Sequence, residues 1–152
     1  MLEINQPKSF IKNIKILNSI LGLILILNGI NCEYRLIIRI FIDQGSFEDP
    51  IIWSLFGILL ISSGIIGALS GFYLSDDKFI GLKLSILFYI VLSGTFTYMA
   101  TYIFIHDLLR DLTGLHKAAQ FLIFLFCSVI VVISIILLLA IYKNKDLLKE
   151  CF

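Results

Sequence analysis

The chain has 152 residues, of which 59% are hydrophobic and only 15% are charged, and its net charge is +1. A soluble domain of this size carries about 25% charged residues, so this chain has too few to cover a soluble core. No basic footprint for nucleic acid is visible, and we expect no nucleic-acid partner. The composition predicts an integral, multi-pass membrane protein whose first partner is the lipid bilayer.

Four long apolar runs without any charged residue occupy most of the chain, at about residues 16–32, 51–74, 84–105 and 118–142. Each is long enough, or nearly so, to cross a hydrocarbon core of about 30 Å as a helix that rises about 1.5 Å per residue. The connectors between the runs are too short to bury cores of their own. The sequence therefore predicts an all-α fold, a single transmembrane domain (1–152) built as a four-helix bundle with short connectors.

The first run carries two amide side chains, Asn18 and Asn28, in a mostly aliphatic sequence. Because uncompensated amides are costly in hydrocarbon, we expect this face to lie against other helices. Just after the run, the segment 34–42 places Arg35 and Arg39 one helical turn apart among apolar residues. Two interpretations stay open for this segment: a short amphipathic helix in the membrane interface, or a tilted extension of the first span.

The second run carries the clearest packing signal. Gly57, Gly64 and Gly71 recur every seven residues, and Ser63, Gly67 and Gly71 recur every four. Rows of small residues let another helix backbone approach closely. The sequence leaves open whether that helix belongs to the same chain or to another subunit, and we favour the same chain.

A matching row of small residues follows in the third run, formed by Ser93, Gly94, Thr97 and Thr101. A short polar turn makes the second and third runs antiparallel neighbours, so we expect their small-residue faces to meet. The fourth run is nearly all Val, Ile and Leu over residues 128–140 and has no such row. We expect it to be the helix most exposed to lipid.

Lysine and arginine are distributed unequally between the two sides of the predicted bundle. The N-terminus, the second connector and the C-terminus carry eight of them: Lys8, Lys12, Lys15, Lys78, Lys83, Lys143, Lys145 and Lys149. The other two connectors carry four: Arg35, Arg39, Arg110 and Lys117. Since basic residues accumulate on the cytoplasmic side of membrane proteins, both termini are predicted to lie in the cytoplasm or its matrix or stroma equivalent.

No pattern typical of catalysis stands out. None of the runs has an acidic or basic side chain near its middle, as ion-coupled carriers usually do, and the three cysteines form no CxxC pair. His106 and His116 are ten residues apart, whereas metal ligands on a helix are three or four apart. We predict no catalytic residue, metal or cofactor; any such site would involve His106, Asp107 and His116.

Three segments carry a family resemblance: ILNSILG at 16–22, PIIW at 50–53 and GILLISSGIIGA at 57–68. With the short polar turn before the third run, they resemble four-span membrane proteins of the B-cell-antigen or tetraspanin type. The Cys-Cys-Gly of tetraspanin ectodomains is absent, and the last outer connector has only the residues 106–117. The resemblance implies a non-catalytic membrane organiser or accessory subunit.

The packing rows, together with the lack of catalytic motifs, predict a scaffold or accessory subunit that works with other membrane proteins or with copies of itself. One alternative is a pore or small-solute channel formed by oligomerisation, including a holin-like lesion-former. The residues that would line it are Asn18, Asn28, Ser93, Thr97 and Thr101. A second alternative is a small membrane enzyme with an outer-face site at His106 and Asp107.

Overall fold

The computed structural model describes residues 6–41, 50–76, 78–108 and 115–143, and every one of them lies in a helix. The helices are α1 (Gln6–Phe41), α2 (Pro50–Asp76), α3 (Lys78–Tyr102) and α4 (Leu115–Lys143), and a wider π-helical turn (Ile103–Leu108) continues α3. The all-α prediction is confirmed for this part of the chain.

Four of the described segments are long and apolar enough to cross a membrane: Ser9–Ile38, Pro50–Leu74, Phe79–Ile105 and Ala118–Lys143. They correspond in order to the four apolar runs of the sequence. The prediction of four such helices is therefore confirmed by length and composition.

Helix α1 is longer than the apolar run that predicts it. It has 36 residues, which corresponds to about 54 Å at about 1.5 Å per residue. Pro7 lies in its first turn, where a missing N–H has no intrahelical acceptor to lose. At the other end the helix continues without a break through residues 34–41. Where this extension lies relative to a membrane interface stays a prediction.

The chain divides into two compact units within α3. The first unit contains α1, α2 and the part of α3 that ends at Phe88. The second contains the rest of α3, from Tyr89, and α4 as far as Tyr142. Each unit is described by itself below.

Glycines bring α1 and α2 of the first unit into direct backbone contact. A Cβ added at Gly22 would lie 2.7 Å from the carbonyl oxygen of Gly64, and one added at Gly29 would lie 2.8 Å from that of Gly57. Because rising numbers in α1 meet falling numbers in α2, the two helices are antiparallel. The row of glycines spaced seven residues apart contacts α1 at all three of its positions, Gly57, Gly64 and Gly71.

Helix α2 contacts the first part of α3 with other residues. A Cβ at Gly81 would lie 2.7 Å from Cα of Leu74, and one at Gly67 would lie 2.7 Å from the ring of Phe88. These two helices are also antiparallel, as predicted. We expected the small-residue faces of α2 and α3 to meet. This expectation is wrong for the glycines spaced seven residues apart, because Gly57, Gly64 and Gly71 face α1.

The second unit buries apolar side chains from both of its helices. On α3 these are Leu92, Phe96, Met99 and Ala100, on the π-helical turn Ile103, and on α4 Cys127 and Ile141. The rings of Phe104 and Phe124 lie 5.9 Å apart between centroids. Only 11% of the apolar window of α4 is buried, against 22% to 39% for the other three helices. Helix α4 is thus the most exposed of the four, as its sequence predicts.

Candidate functional site

A buried hydrogen-bond cluster joins the three helices of the first unit. Nδ2 of Asn18 donates to Oγ of Ser70 and to Oγ of Ser85, each at 2.9 Å. Each serine hydroxyl in turn donates its single proton to its own helix, to the carbonyl of Gly67 or of Gly81 at 2.8 Å. The serine oxygens therefore serve as acceptors for the amide, which requires both hydrogens of Nδ2.

This cluster is fully enclosed, since Asn18, Ser70 and Ser85 have no exposed surface. Unsatisfied polar groups inside a protein are costly, so a satisfied buried cluster favours the one packing that satisfies it. Asn18 therefore lies against other helices, as expected. Asn28 does not: it is exposed, and its Nδ2 donates to the carbonyl of Ile24 in the same helix at 2.8 Å.

Three of the four residues in the small-residue row of the third run are exposed. A Cβ added at Gly94 would meet no atom within 4 Å. Thr97 and Thr101 are exposed, and Ser93 is half-buried with its hydroxyl bonded to the carbonyl of Ile90 at 3.0 Å. Whether this row packs against another molecule stays a prediction.

A carboxylate packs against α2 near the other end of the first unit. Glu33 lies within the apolar segment Ser9–Ile38 of α1. Its Oε2 accepts a hydrogen bond from Oγ of Ser54 at 3.2 Å, while its Oε1 is buried and has no hydrogen-bond partner. The next residue toward the N-terminus, Cys32, donates its thiol hydrogen to the carbonyl of Trp53 at 3.6 Å.

Sequence reasoning missed Glu33 because the first apolar run ends at residue 32. A signal was available in the spacing. Glu33 follows Gly29 by four residues and Gly22 by eleven, and eleven residues are close to three full helical turns. It therefore continues the face of α1 that contacts α2. A charged residue on the same face as the packing glycines is the pattern that would have identified it.

The histidines near the connector between the third and fourth runs provide no site that the structure describes. His106 and Asp107 belong to the π-helical turn and His116 to the first turn of α4, but their side chains lie outside the described residues. In the described part of the chain, no three His, Cys, Asp or Glu side chains group closely enough to hold a metal ion.

Comparison with models of known protein families, with characterised proteins and with solved structures finds no match to this chain. The resemblance to four-span membrane proteins therefore stays a prediction.

Proposed function

We propose that the chain is a four-helix integral membrane protein, with both termini on the cytoplasmic side or its equivalent. We further propose that it is a non-catalytic scaffold or accessory subunit, which binds other membrane proteins or copies of itself through a helix face. The proposal rests on one observation, the unpartnered small-residue face around Gly94.

Gly94 differs from every other glycine that the structure describes. Added Cβ atoms at the other seven described glycines would all contact a neighbouring part of the chain, whereas one at Gly94 would contact nothing. Exposed small residues follow one and two turns later, at Thr97 and Thr101. In a bilayer, association of helices depends on close packing at such small residues, because lipid tails are as apolar as the helices themselves. A helix face of this kind supports an intermolecular contact.

The distribution of charge in the first unit supports the proposed orientation. The start of α1, the end of α2 and the start of α3 lie at the same end of this unit, because the three helices are antiparallel neighbours. That end carries Lys12, Lys15 and Lys83, and Arg35 lies toward the opposite end of α1. An excess of lysine at one end favours the cytoplasmic side for that end.

The test is substitution of the open glycine. Gly94→Leu adds a side chain where the chain itself has no atom, so we expect the fold to persist and a complex extracted in mild detergent to dissociate. Native mass spectrometry measures the assembly, and circular dichroism checks the fold. Ser62→Leu is the matched control, because Ser62 is also small and exposed. A wild-type protein that is monomeric in both detergent and bilayer discs and captures no stoichiometric partner would refute the proposal.

An oligomeric pore is the alternative, and the exposure of Thr97 and Thr101 is the observation that favours it. The predicted lining loses Asn18, whose amide hydrogens are used within the chain. Purified protein in liposomes separates the two functions. Ion flux that occurs without any partner protein and is reduced by Thr97→Leu would support the pore and refute the accessory role.

A further inference from the structure

Asn28 places an exposed amide side chain inside the apolar part of α1. The uncharged run of this helix covers residues 16–32, so Asn28 lies about 6 Å from its middle at about 1.5 Å per residue. A hydrocarbon core is about 30 Å thick, and a residue at this depth lies within it when the run crosses a bilayer. The neighbours of Asn28 on the exposed face are apolar, since Ile24 is 47% exposed and Leu27 is 67% exposed.

The amide of Asn28 is only partly used within the chain. Its Nδ2 carries two hydrogens, and its Oδ1 accepts up to two hydrogen bonds. One hydrogen is donated to the carbonyl of Ile24 at 2.8 Å. No group in the described part of the chain bonds to the second hydrogen or to Oδ1. Because lipid tails have no hydrogen-bonding group, this half of the amide stays unsatisfied in a bilayer until another molecule reaches it.

The chemistry of the amide favours a second copy of this chain as that molecule. Copies inserted in one bilayer share one orientation, so two α1 helices related by a two-fold axis along the membrane normal are parallel, and a residue at the axis meets its own equivalent. A charged side chain repels its equivalent in such a pair. An amide matches its equivalent, because each copy can donate its free hydrogen to Oδ1 of the other. Asn28 is therefore self-complementary.

The residues around Asn28 also have the spacing of a seam between parallel helices. Ile24, Asn28 and Asn31 are exposed and follow one another at intervals of four and three residues, like the a and d positions of a two-stranded coiled coil. A single asparagine at such a position fixes the register and the number of helices in coiled coils. Arg35 continues the row and is exposed, so two copies of it repel each other. The contact therefore ends before Arg35, near the end of the apolar segment at Ile38.

We propose that the exposed face of α1 around Asn28 binds a second copy of this chain, and that the two Asn28 amides exchange a pair of hydrogen bonds across a two-fold axis. The contact of Gly22 and Gly29 with α2 stays as it is in the single chain. The pair adds a parallel contact between two α1 helices to the antiparallel contacts within each copy. This inference rests on the bilayer insertion proposed above, and it concerns a different helix face from the one around Gly94.

The test is energy transfer between full-length chains that carry a donor or an acceptor dye at the C-terminus, mixed in phosphatidylcholine vesicles at a series of protein-to-lipid ratios. The ratio that gives half-maximal transfer measures the dissociation constant of the pair. We expect Asn28→Leu to raise this constant at least about tenfold, because it removes both hydrogen bonds. Asn28→Gln keeps an amide and should weaken the pair less than leucine does.

Asn13→Leu is the matched control for this measurement. Asn13 is an exposed asparagine on the same helix, but it lies outside the uncharged run 16–32. Its amide is about 16 Å from the middle of that run, where water can satisfy it. We therefore expect Asn13→Leu to leave the dissociation constant unchanged. Equal weakening by Asn13→Leu and Asn28→Leu would overturn the inference.

Mixing the wild type with Asn28→Leu tests the two-fold symmetry. When each Asn28 bonds to Asn28 of the second copy, one leucine removes both hydrogen bonds at once. The mixed pair should then be as weak as a pair of two variant chains. A mixed pair of intermediate affinity would overturn the contact in register, because Asn28 would then bond to a different residue.

The same samples separate failure of this inference from failure of the proposed function. Absence of transfer in the wild type would overturn the pair and leave binding to other membrane proteins intact. Transfer that Gly94→Leu abolishes and Asn28→Leu leaves unchanged would overturn the α1 contact and support the face around Gly94. Oriented circular dichroism reports whether the helices cross the bilayer. Helices that lie flat would overturn the insertion, and with it both the pair and the proposed function.

Discussion

The hydrogen-bond cluster at Asn18 allows a quantitative test of what holds the first three helices together. The perturbations are Ser70→Ala and Ser85→Ala, alone and together, in the wild type and in an Asn18→Ala background. Each serine accepts one hydrogen from the amide of Asn18 and donates its own hydrogen to its own helix. Replacing one serine therefore removes one interhelical bond, and one amide hydrogen of buried Asn18 loses its serine acceptor.

The expected magnitudes follow from these bonds. A side-chain hydrogen bond between membrane helices contributes about 0.6 kcal/mol on average, and removing the acceptor of a buried donor costs up to about 1–3 kcal/mol, so each single variant should lose a free energy of unfolding in this range. The double variant removes both serine acceptors of fully buried Asn18. Because each serine accepts a different hydrogen, the loss in the double variant should be close to the sum of the two single losses. In the Asn18→Ala background the same double change should cost less than about 0.5 kcal/mol, because the amide is already gone.

The assay is reversible unfolding of the purified protein from mixed micelles by added denaturing detergent. Trp53, the single tryptophan of the chain, lies at the contact of α1 with α2 and reports their separation by its fluorescence. The reasoning would be refuted if neither the single variants nor the double variant lost stability. It would also be refuted if the loss were as large in the Asn18→Ala background.

Two further predictions concern packing and use the same unfolding assay. Gly64→Ala places a Cβ 2.7 Å from the carbonyl oxygen of Gly22 and should destabilise the protein by about 1–3 kcal/mol. The Cβ of Gly94→Ala meets no atom, so this variant should be neutral or stabilise the protein by up to about 1 kcal/mol. Equal effects of the two variants would contradict the assigned contacts. Ser134 is 2% exposed, so Ser134→Leu should destabilise the protein by about 1–3 kcal/mol. Ser62 is exposed, so Ser62→Leu should change the stability by less than about 0.5 kcal/mol. A neutral effect of Ser134→Leu would contradict the burial of Ser134.

The number and order of the helices could be predicted from sequence, because a helix long enough to cross hydrocarbon needs a long uncharged run, and runs of that kind are easy to recognise. The length of α1 could not be predicted in this way. Hydropathy marks where side chains tolerate lipid, whereas the backbone hydrogen bonds of a helix continue through charged residues as well. Helix α1 therefore covers Gln6–Phe41, well beyond the uncharged residues 16–32.

The glycine row of α2 was predictable as a packing face, but its partner was not. A row of small residues indicates only that the backbone of another helix can approach closely. Both α1 and α3 are neighbours of α2 and could supply that backbone. The choice of α1 follows from complementary glycines at Gly22 and Gly29, which fit against Gly64 and Gly57. The polar sites follow the same logic: Asn18 was recognisable as an amide that needs partners, but the two serines that provide them lie far along the chain and only the fold identifies them.

The backbone contact of α1 with α2 also determines where this sequence can tolerate change. At Gly22 and Gly64 the nearest atoms to an added Cβ include the backbone of the partner helix, which has no alternative rotamer. At Gly67 the obstacle is the ring of Phe88, a side chain that a compensating substitution can shorten. Most positions of α4 face outward, and any apolar residue fits there. Over long divergence, substitutions should accumulate in α4, and the spacing of a few glycines should be the last recognisable trace of shared ancestry.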